Sequence, residues 1–232
     1  MASSNDAGKR AAGYAAVDRF VQDGTCIGLG TGTTAYFAIE RVGQRVAAGE
    51  RIEAVVTSSE TQRLCERWNV PVAGLLECEM AVAIDGADEV APDWALTKGG
   101  GGALFREKAV ALCARRFIVI VTESKMVPAL GAFPLPVEIV PYAMPYVLRE
   151  IRREHPNVEL VRRGGDTPFV TDNGNWILDC HFGRIDRPSA LDASLKSLHG
   201  VVASGIFTDI ADGVLIGNDD GSVTEPARRR ES

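Results

Sequence analysis

The sequence predicts an α/β protein with a mostly parallel sheet flanked by helices and with a smaller α+β subdomain. Two observations lead to this prediction. Helical apolar stripes alternate with short apolar runs through the first half of the chain, and the alternation ends near the proline-rich segment Phe133-Pro134-Leu135-Pro136. Such alternation is typical of a Rossmann-like sheet covered by helices on both faces. We therefore expect an α/β domain in residues 1–130 and 204–232 and the subdomain in residues 131–203.

The elements of the first domain follow in a regular order. A helical stripe ends at Gly24, and residues 25–29 have the pattern of a short buried strand. A glycine turn follows, and Thr33 or Thr34 is expected to cap the next helix. The remaining strands are predicted at residues 52–57, 80–84 and 117–121, and the remaining helices at residues 59–68 and 103–114. Ligands of such sheets bind beyond the carboxyl ends of the strands.

The subdomain is predicted from a hairpin signal. Residues 169–171 and 176–178 are apolar and flank Asp172-Asn173-Gly174-Asn175, a turn sequence typical of hairpins. Two helices and two strands are predicted at residues 144–153, 191–198, 205–207 and 214–216, in that order. The two strands are expected to return to the first domain.

Composition excludes several classes of protein. The 232 residues are 46% hydrophobic, enough for a core that needs neither disulfides nor metal. The balance of 25 basic and 31 acidic residues gives a net charge of −6, which disfavours nucleic-acid and membrane partners. No apolar run reaches the roughly 18 residues of a membrane span, and no apolar secretion signal follows Met1. We expect a cytoplasmic protein.

The potential metal ligands are scattered. The five cysteines are far apart without a C-x-x-C motif, so we expect reduced thiols, and the three histidines have no ligand-spaced companions. The cysteines are Cys26, Cys65, Cys78, Cys113 and Cys180. No metal and no cofactor are expected.

The first loop with chemical content is Gly28-Leu29-Gly30-Thr31-Gly32-Thr33-Thr34. Its glycines expose backbone N–H groups, and the N-terminus of the following helix favours an anion. The dinucleotide fingerprint would require glycine where Thr33 stands, and the Gly-Lys step of a Walker loop is absent. The segment is either an anion site or a tight turn without a ligand.

The second loop, Asp85-Gly86-Ala87-Asp88-Glu89, follows a predicted strand. Its carboxylates suit metal binding, proton sharing or hydrogen bonds from sugar hydroxyls. An ordinary acidic turn is the alternative.

The third loop runs from Lys98 through four glycines into a predicted helix. Four glycines cost backbone entropy, which favours a backbone that closely approaches a substrate over a plain linker. Glu107 follows one turn into the helix, where it either projects over the loop or belongs to a solvated face. Lys125 adds a cation after another strand, although surface lysines are common.

These segments together suit a small, hydroxyl-rich phosphate ester. They supply two cations, backbone donors, hydroxyls and three candidate carboxylates, but no serine or cysteine nucleophile with a histidine base. The economical chemistry is proton transfer by a carboxylate.

The sequence resembles ribose-5-phosphate isomerases of the A type. The similar segments are residues 28–35, 85–89, 98–103, 106–108, 124–125, 133–138, 171–175 and 177–179, in family order. The resemblance implies interconversion of D-ribose 5-phosphate and D-ribulose 5-phosphate in the pentose phosphate pathway, without a cofactor, by a homodimer or homotetramer.

The resemblance also implies roles for individual residues. Glu107 falls on the general base. The implied substrate-binding residues are Thr31, Gly32, Thr33, Thr34, Asp85, Gly86, Ala87, Asp88, Lys98, Gly99, Gly100, Gly101 and Lys125. Lys98 and backbone N–H groups would stabilise a developing oxyanion, while Asp85 and Asp88 would orient hydroxyls or assist ring opening. Thr33 replaces a frequent serine, and the arginines after Pro226 have no implied role.

Two other classes use comparable features. A sugar-phosphate-sensing domain of a transcription regulator needs a DNA-binding module, and the residues before Thr25 hold one helix, too few for a helix-turn-helix. A coenzyme A transferase would use its glutamate as a nucleophile and form a covalent thioester.

Overall fold

The computed structural model describes residues 4–229. Its contacts divide the chain into two compact units, residues 4–87, 106–126 and 210–229, and residues 88–105 and 127–209. The sequence-based domain division stays a prediction, and the compact units differ from it chiefly in placing residues 88–105 in the second unit. Residues 1–3 and 230–232, which that division includes, lie outside the described residues. No helix within residues 4–229 has the length and apolar character that crossing a membrane requires.

The bounds of the helices and strands apply to this described range. Helices α1 to α6 are Ser4–Phe20, Ala35–Ala47, Ser59–Arg67, Leu104–Cys113, Met144–Glu154 and Pro188–Ser197. Strands β1 to β13 are Cys26–Leu29, Glu53–Val56, Met80–Asp85, Glu89–Val90, Leu96–Thr97, Phe117–Thr122, Leu135–Ile139, Glu159–Arg162, Trp176–His181, Val201–Ser204, Ile206–Phe207, Gly213–Gly217 and Val223–Thr224. Short 3₁₀ turns lie at Glu123–Lys125 and Pro141–Ala143.

The first unit contains a six-stranded sheet of order β13-β12-β6-β3-β1-β2. All neighbouring strands are parallel except β13, which is antiparallel to β12. Its strands are apolar runs because helices cover such sheets, and every residue of β6 is buried. Ala12 and Ala16 of α1 join Ile27, Leu29 and Ile118 of the strands in one core. The predicted α/β fold class is confirmed.

The second unit contains two smaller sheets, of order β10-β7-β9-β8 and β11-β5-β4. Val147 and Ile151 of α5 pack with Val137 and Leu178 of the larger sheet. The proline-rich segment is not only a connection, because β7 includes Pro136. This strand tolerates a proline there because its pairing with β10 ends one residue away, at Val137.

The predicted hairpin is wrong in its first strand. Trp176 begins β9 as expected, but β9 pairs with β7 and β8, and Val170 meets it only as an isolated bridge. The turn itself is present, with the Thr171 N–H donating to the Asn175 carbonyl at 2.9 Å. Thr171 is held instead by the buried Glu138, whose carboxylate accepts its hydroxyl at 2.9 Å. A side-chain contact therefore replaces the predicted strand pairing.

The two strands predicted to return to the first domain join different sheets. Residues 214–216 lie in β12 of the large sheet, as predicted. Ile206–Phe207 pairs with Leu96–Thr97, which belong to residues 1–130 of the predicted division but to the second compact unit of the structure. Two residues of a short apolar run do not specify which sheet they join.

The expectation of five reduced thiols is wrong for one pair. Cys26 and Cys78 are joined by a disulfide, with their Cα atoms 6.2 Å apart. Cys26 opens β1 and Cys78 lies just before the adjacent strand β3, so sheet packing brings together residues 52 positions apart. Cys65 and Cys180 are buried, and burial raises the pKa of the Cys65 thiol to about 12. Cys113 is exposed.

We expect three thiol counts from protein purified without reductant. A thiol reagent such as DTNB should label Cys113 alone in the folded state, because burial keeps the other thiols protonated and inaccessible. Denaturation should expose three thiols, and reduction should raise the count to five. Five thiols in denaturant without reductant would contradict the disulfide.

Candidate active site

A cluster of hydroxyls lies at the carboxyl ends of β1 and β2. The Oγ1 atom of Thr31 lies 2.7 Å from that of Thr57, 2.8 Å from Oγ of Ser58 and 3.1 Å from Oγ1 of Thr61. Ser58 also caps α3, accepting the Thr61 N–H at 3.0 Å. Sequence reasoning missed these three partners of Thr31, although Thr57 ends a predicted strand at the expected edge and Ser58 follows it directly.

The rest of the first loop is shaped by its backbone. Gly32 has a φ of +121°, which glycine adopts readily. The N–H of Tyr36 donates to the Gly32 carbonyl at 2.9 Å and starts α2. Thr34 occupies the N-cap without a side-chain hydrogen bond, and Thr33 is exposed. The predicted threonine side-chain cap is therefore wrong. The first N–H groups of α2 are accepted by backbone carbonyls and not by a threonine hydroxyl.

Asp85 is locked into the first loop. The residue is 3% exposed, and Oδ1 accepts the N–H groups of Thr31 at 3.1 Å and Gly86 at 2.7 Å. Gly30 explains this close fit, because a Cβ at that position would overlap the Asp85 carboxylate. The structure thus brings two predicted binding residues, Thr31 and Asp85, into direct contact.

Glu107 is a buried carboxylate on α4. The residue is 4% exposed, although its neighbours Arg106 and Lys108 are partly exposed. The alternative of a solvated helix face is therefore wrong. Other carboxylates of the chain are buried too, among them Glu138, so burial alone does not give Glu107 a chemical role. Its role as the general base stays a prediction.

Lys125 lies in the 3₁₀ turn that directly follows β6 and is partly buried. Strand β6 is the neighbour of β3, with Val119 opposite Asp85. The carboxyl ends of both strands thus share one edge of the sheet, which places the Lys125 cation on the edge that carries Thr31 and Asp85.

The second unit holds Asp88 and Lys98 close to the glycine loop. Oδ2 of Asp88 accepts the N–H of Gly100 at 2.7 Å. Lys98 is 2% exposed. Its backbone N–H donates to the Gly205 carbonyl at 2.8 Å, and its side-chain ammonium lies 5.5 Å from the centre of the Phe207 ring. A buried ammonium over an aromatic face is an attractive cation–π arrangement.

Backbone conformation and contacts within the protein explain why glycines stand in this loop. Gly99 and Gly102 have φ values of +99° and +82°. The side chains that an added Cβ would meet are Leu104 for Gly99 at 2.9 Å, Asp88 for Gly100 at 2.6 Å and Phe169 for Gly102 at 2.5 Å. The prediction attributed these glycines to close approach of a substrate, whereas contacts within the chain already require three of them.

The candidate residues are distributed over both units. Residues 31–34, 85–87, Glu107 and Lys125 belong to the first unit, and Asp88 and residues 98–101 to the second. Gly86 and Ala87 are partly buried and connect the two aspartates along the chain. The action of all these residues on one ligand stays a prediction.

One group of described residues has the arrangement of metal ligands. The ligand atoms of Cys26, Glu53 and Cys78 lie within 4.8 Å of one another. The disulfide occupies both sulfurs, which therefore cannot act as thiolate ligands. Cys26 and Glu53 open β1 and β2, so this group lies at the sheet edge opposite Thr31.

The hydroxyls, the buried Asp85 carboxylate and the lysine lie at the carboxyl ends of a mostly parallel sheet, which is the edge where α/β proteins of this class bind their ligands. Residues 53–221 match the family model for ribose 5-phosphate isomerase A (phosphoriboisomerase A). Ribose-5-phosphate isomerase A of Methanothermobacter thermautotrophicus is 46% identical over 215 residues, 92% of this chain and 95% of that protein. The chain belongs to the ribose 5-phosphate isomerase A family.

Solved structures agree with this assignment. Ribose 5-phosphate isomerase A of Methanocaldococcus jannaschii superposes with a TM-score of 0.88 at 38% identity, covering 95% of this chain and 99% of that one. A D-ribose-5-phosphate isomerase in complex with phospho-erythronic acid gives 0.89 at 38% identity, covering 95% and 97% of the two chains.

Proposed function

We propose that this protein is an aldose-ketose isomerase that interconverts D-ribose 5-phosphate and D-ribulose 5-phosphate in the non-oxidative branch of the pentose phosphate pathway. The observation that carries the proposal is the buried carboxylate of Glu107, on the helix directly after the glycine loop, in a chain of this family. The relative bound to phospho-erythronic acid supports it, because that ligand is a phosphorylated sugar acid.

Glu107 carries the proton in this proposal. Its carboxylate removes the proton from C2 of the open-chain aldose, and the released electron pair forms the C1–C2 double bond while charge develops on O1. Return of the proton to C1, with transfer of the O2 proton to O1, completes the ketose. One carboxylate thus serves as base and then as acid.

Lys98 and the amides of the glycine loop stabilise the developing oxyanion, since fixed donors need no reorganisation as charge appears. Asp85 and Asp88 orient the hydroxyls or assist ring opening. Their rigidity supports this role, because each accepts at least one backbone N–H.

The phosphate is assigned to residues 31–34 and Lys125, which offer hydroxyls, N–H groups and a cation. We expect Lys125→Ala to raise KM for ribose 5-phosphate more than it lowers kcat, because its charge attracts the dianion equally in substrate and transition state. Lys196→Ala is the matched control, since Lys196 is exposed and pairs with Asp192 at 3.4 Å. Steady-state kinetics at constant ionic strength measure KM and kcat of both variants. An unchanged KM in Lys125→Ala would show that the phosphate binds elsewhere.

A coupled assay of the purified protein on ribose 5-phosphate tests the proposed function. Turnover should persist in EDTA, because the chemistry assigned here uses carboxylates and a lysine. Loss of turnover in EDTA with recovery on adding a divalent ion would make Asp85 and Asp88 metal ligands. Binding without turnover would favour a sensor domain, and a covalent thioester with coenzyme A would favour a transferase.

We also propose a cytoplasmic homodimer or homotetramer, as the family resemblance implies. Light scattering during size-exclusion chromatography should give two or four times the chain mass of 24.8 kDa, and a single chain mass would contradict the assembly.

A further inference from the structure

Arg163, directly after β8, forms a two-pronged ion pair with Asp179 of β9. Its Nε lies 2.9 Å from Oδ2 and its Nη2 lies 2.5 Å from Oδ1 of that carboxylate. Both side chains are 18% exposed. A bidentate pair of this kind fixes the plane of the guanidinium as well as its position.

The remaining edge of this guanidinium contacts the glycine loop. Nη1 of Arg163 donates to the carbonyls of Gly99 at 2.9 Å and Gly100 at 3.1 Å. Glycines sample more backbone conformations than other residues, so a loop of four needs an external constraint to hold one geometry. Arg163 supplies that constraint at two successive peptide groups.

The peptide between Gly99 and Gly100 is consequently held from both sides. Arg163 binds its carbonyl oxygen, and the carboxylate of Asp88 accepts its N–H at 2.7 Å. Because a peptide group is planar and rigid, a rotation at the Arg163 side would turn the N–H away from Asp88. The orientation of Asp88 therefore depends on a guanidinium that lies on the other side of the loop.

We propose that Arg163, oriented by Asp179, is a positioning residue for isomerisation: it holds the glycine loop and, through the Gly99–Gly100 peptide, the Asp88 carboxylate. The inference rests on the proposed function. Arg163 exchanges no proton with the substrate, and its effect falls on the geometry of Asp88 and the loop amides in the transition state.

The test compares Arg163→Met and Arg163→Lys with the wild type on ribose 5-phosphate. Misplacement by about 1 Å costs on the order of 10²-fold in rate, so we expect kcat of Arg163→Met to fall by about that factor while KM changes little. Lysine keeps the charge but cannot make the planar fork, so Arg163→Lys should also lose kcat.

Arg162→Met is the matched control. The Arg162 guanidinium donates to the Gly165 carbonyl at 2.5 and 3.2 Å and lies over the Trp176 ring, away from the glycine loop contacts. We expect Arg162→Met to leave kcat unchanged. The comparison then distinguishes the effect of losing an arginine near the end of β8 from the effect of losing the contacts with the glycine loop.

Chemical rescue separates positioning from a general structural effect. Guanidinium ion at concentrations below those that unfold the protein should restore part of kcat in Arg163→Ala without raising its melting temperature. If the Arg163 variants do not fold, Asp179→Asn is decisive: a lowered kcat at unchanged KM supports the proposal, and a wild-type kcat overturns it. A folded Arg163→Met with wild-type kcat, or absence of rescue, also overturns it. An inactive wild type would instead refute the proposed function.

Discussion

Replacing Glu107 by glutamine is expected to lower kcat for ribose 5-phosphate by about 10²–10⁴-fold, the contribution of a general base. Glutamine preserves the shape of the side chain but cannot accept the C2 proton. Because Glu107 is buried on α4, no solvent-exposed carboxylate can replace it without rearrangement. Substrate affinity, measured by calorimetry on the variant, should remain similar, so that binding and chemistry separate.

Isotope exchange gives this experiment a second readout. In D₂O, turnover by the wild type should place deuterium on the product carbon, because the proton can exchange with water while it rests on the carboxylate. The glutamine variant should lose exchange together with isomerisation. Glu66→Gln is the control, since Glu66 is an exposed glutamate on α3. If folded Glu107→Gln isomerises and exchanges normally, the base is another residue, with Asp85 and Asp88 next to test.

The second large effect is expected from Gly30→Ala. The new Cβ would overlap the Asp85 carboxylate, so that side chain must leave its position and lose the N–H groups of Thr31 and Gly86. We expect kcat to fall on the order of 10²-fold, as for other small displacements of catalytic groups. Overpacking should also lower the free energy of unfolding by about 1–3 kcal/mol.

Gly213→Ala is the control for adding a methyl group to this sheet. Gly213 opens β12, where a Cβ would meet the flexible Cδ1 of Ile118 at 3.1 Å. Urea unfolding and steady-state kinetics of both variants separate stability from catalysis. Wild-type kcat in Gly30→Ala would show that the position of Asp85 does not matter to the reaction.

Five of the six strands of the large sheet, and the chemistry of its loops, could be predicted from local pattern; the two-residue strand β13 could not. Strand β1 and strand β6 lie within one residue of their predicted bounds. A short apolar run between a turn and a helix is typical of a buried strand, and its neighbours mark both of its ends. Strand β8, Glu159–Arg162, was missed because its four residues alternate between exposed and half-buried and have no sustained apolar pattern. Strand β7 was missed because Pro136 argues against a strand in sequence.

The sequence by itself determined which residue types stand at the carboxyl ends of the strands. The glycines, threonines, aspartates and lysine follow predicted strands in the chain, so the position of each strand also gives theirs. Only the tertiary structure decided that Glu107 is buried, that Gly30 makes room for Asp85, and that Arg163 holds the glycine loop. The contacts of Gly30 with Asp85 and of Arg163 with the glycine loop connect residues up to 64 positions apart in the sequence. Hydrophobic periodicity and turn chemistry act over a few residues, whereas such contacts depend on how complete sheets and helices pack, which no local pattern encodes.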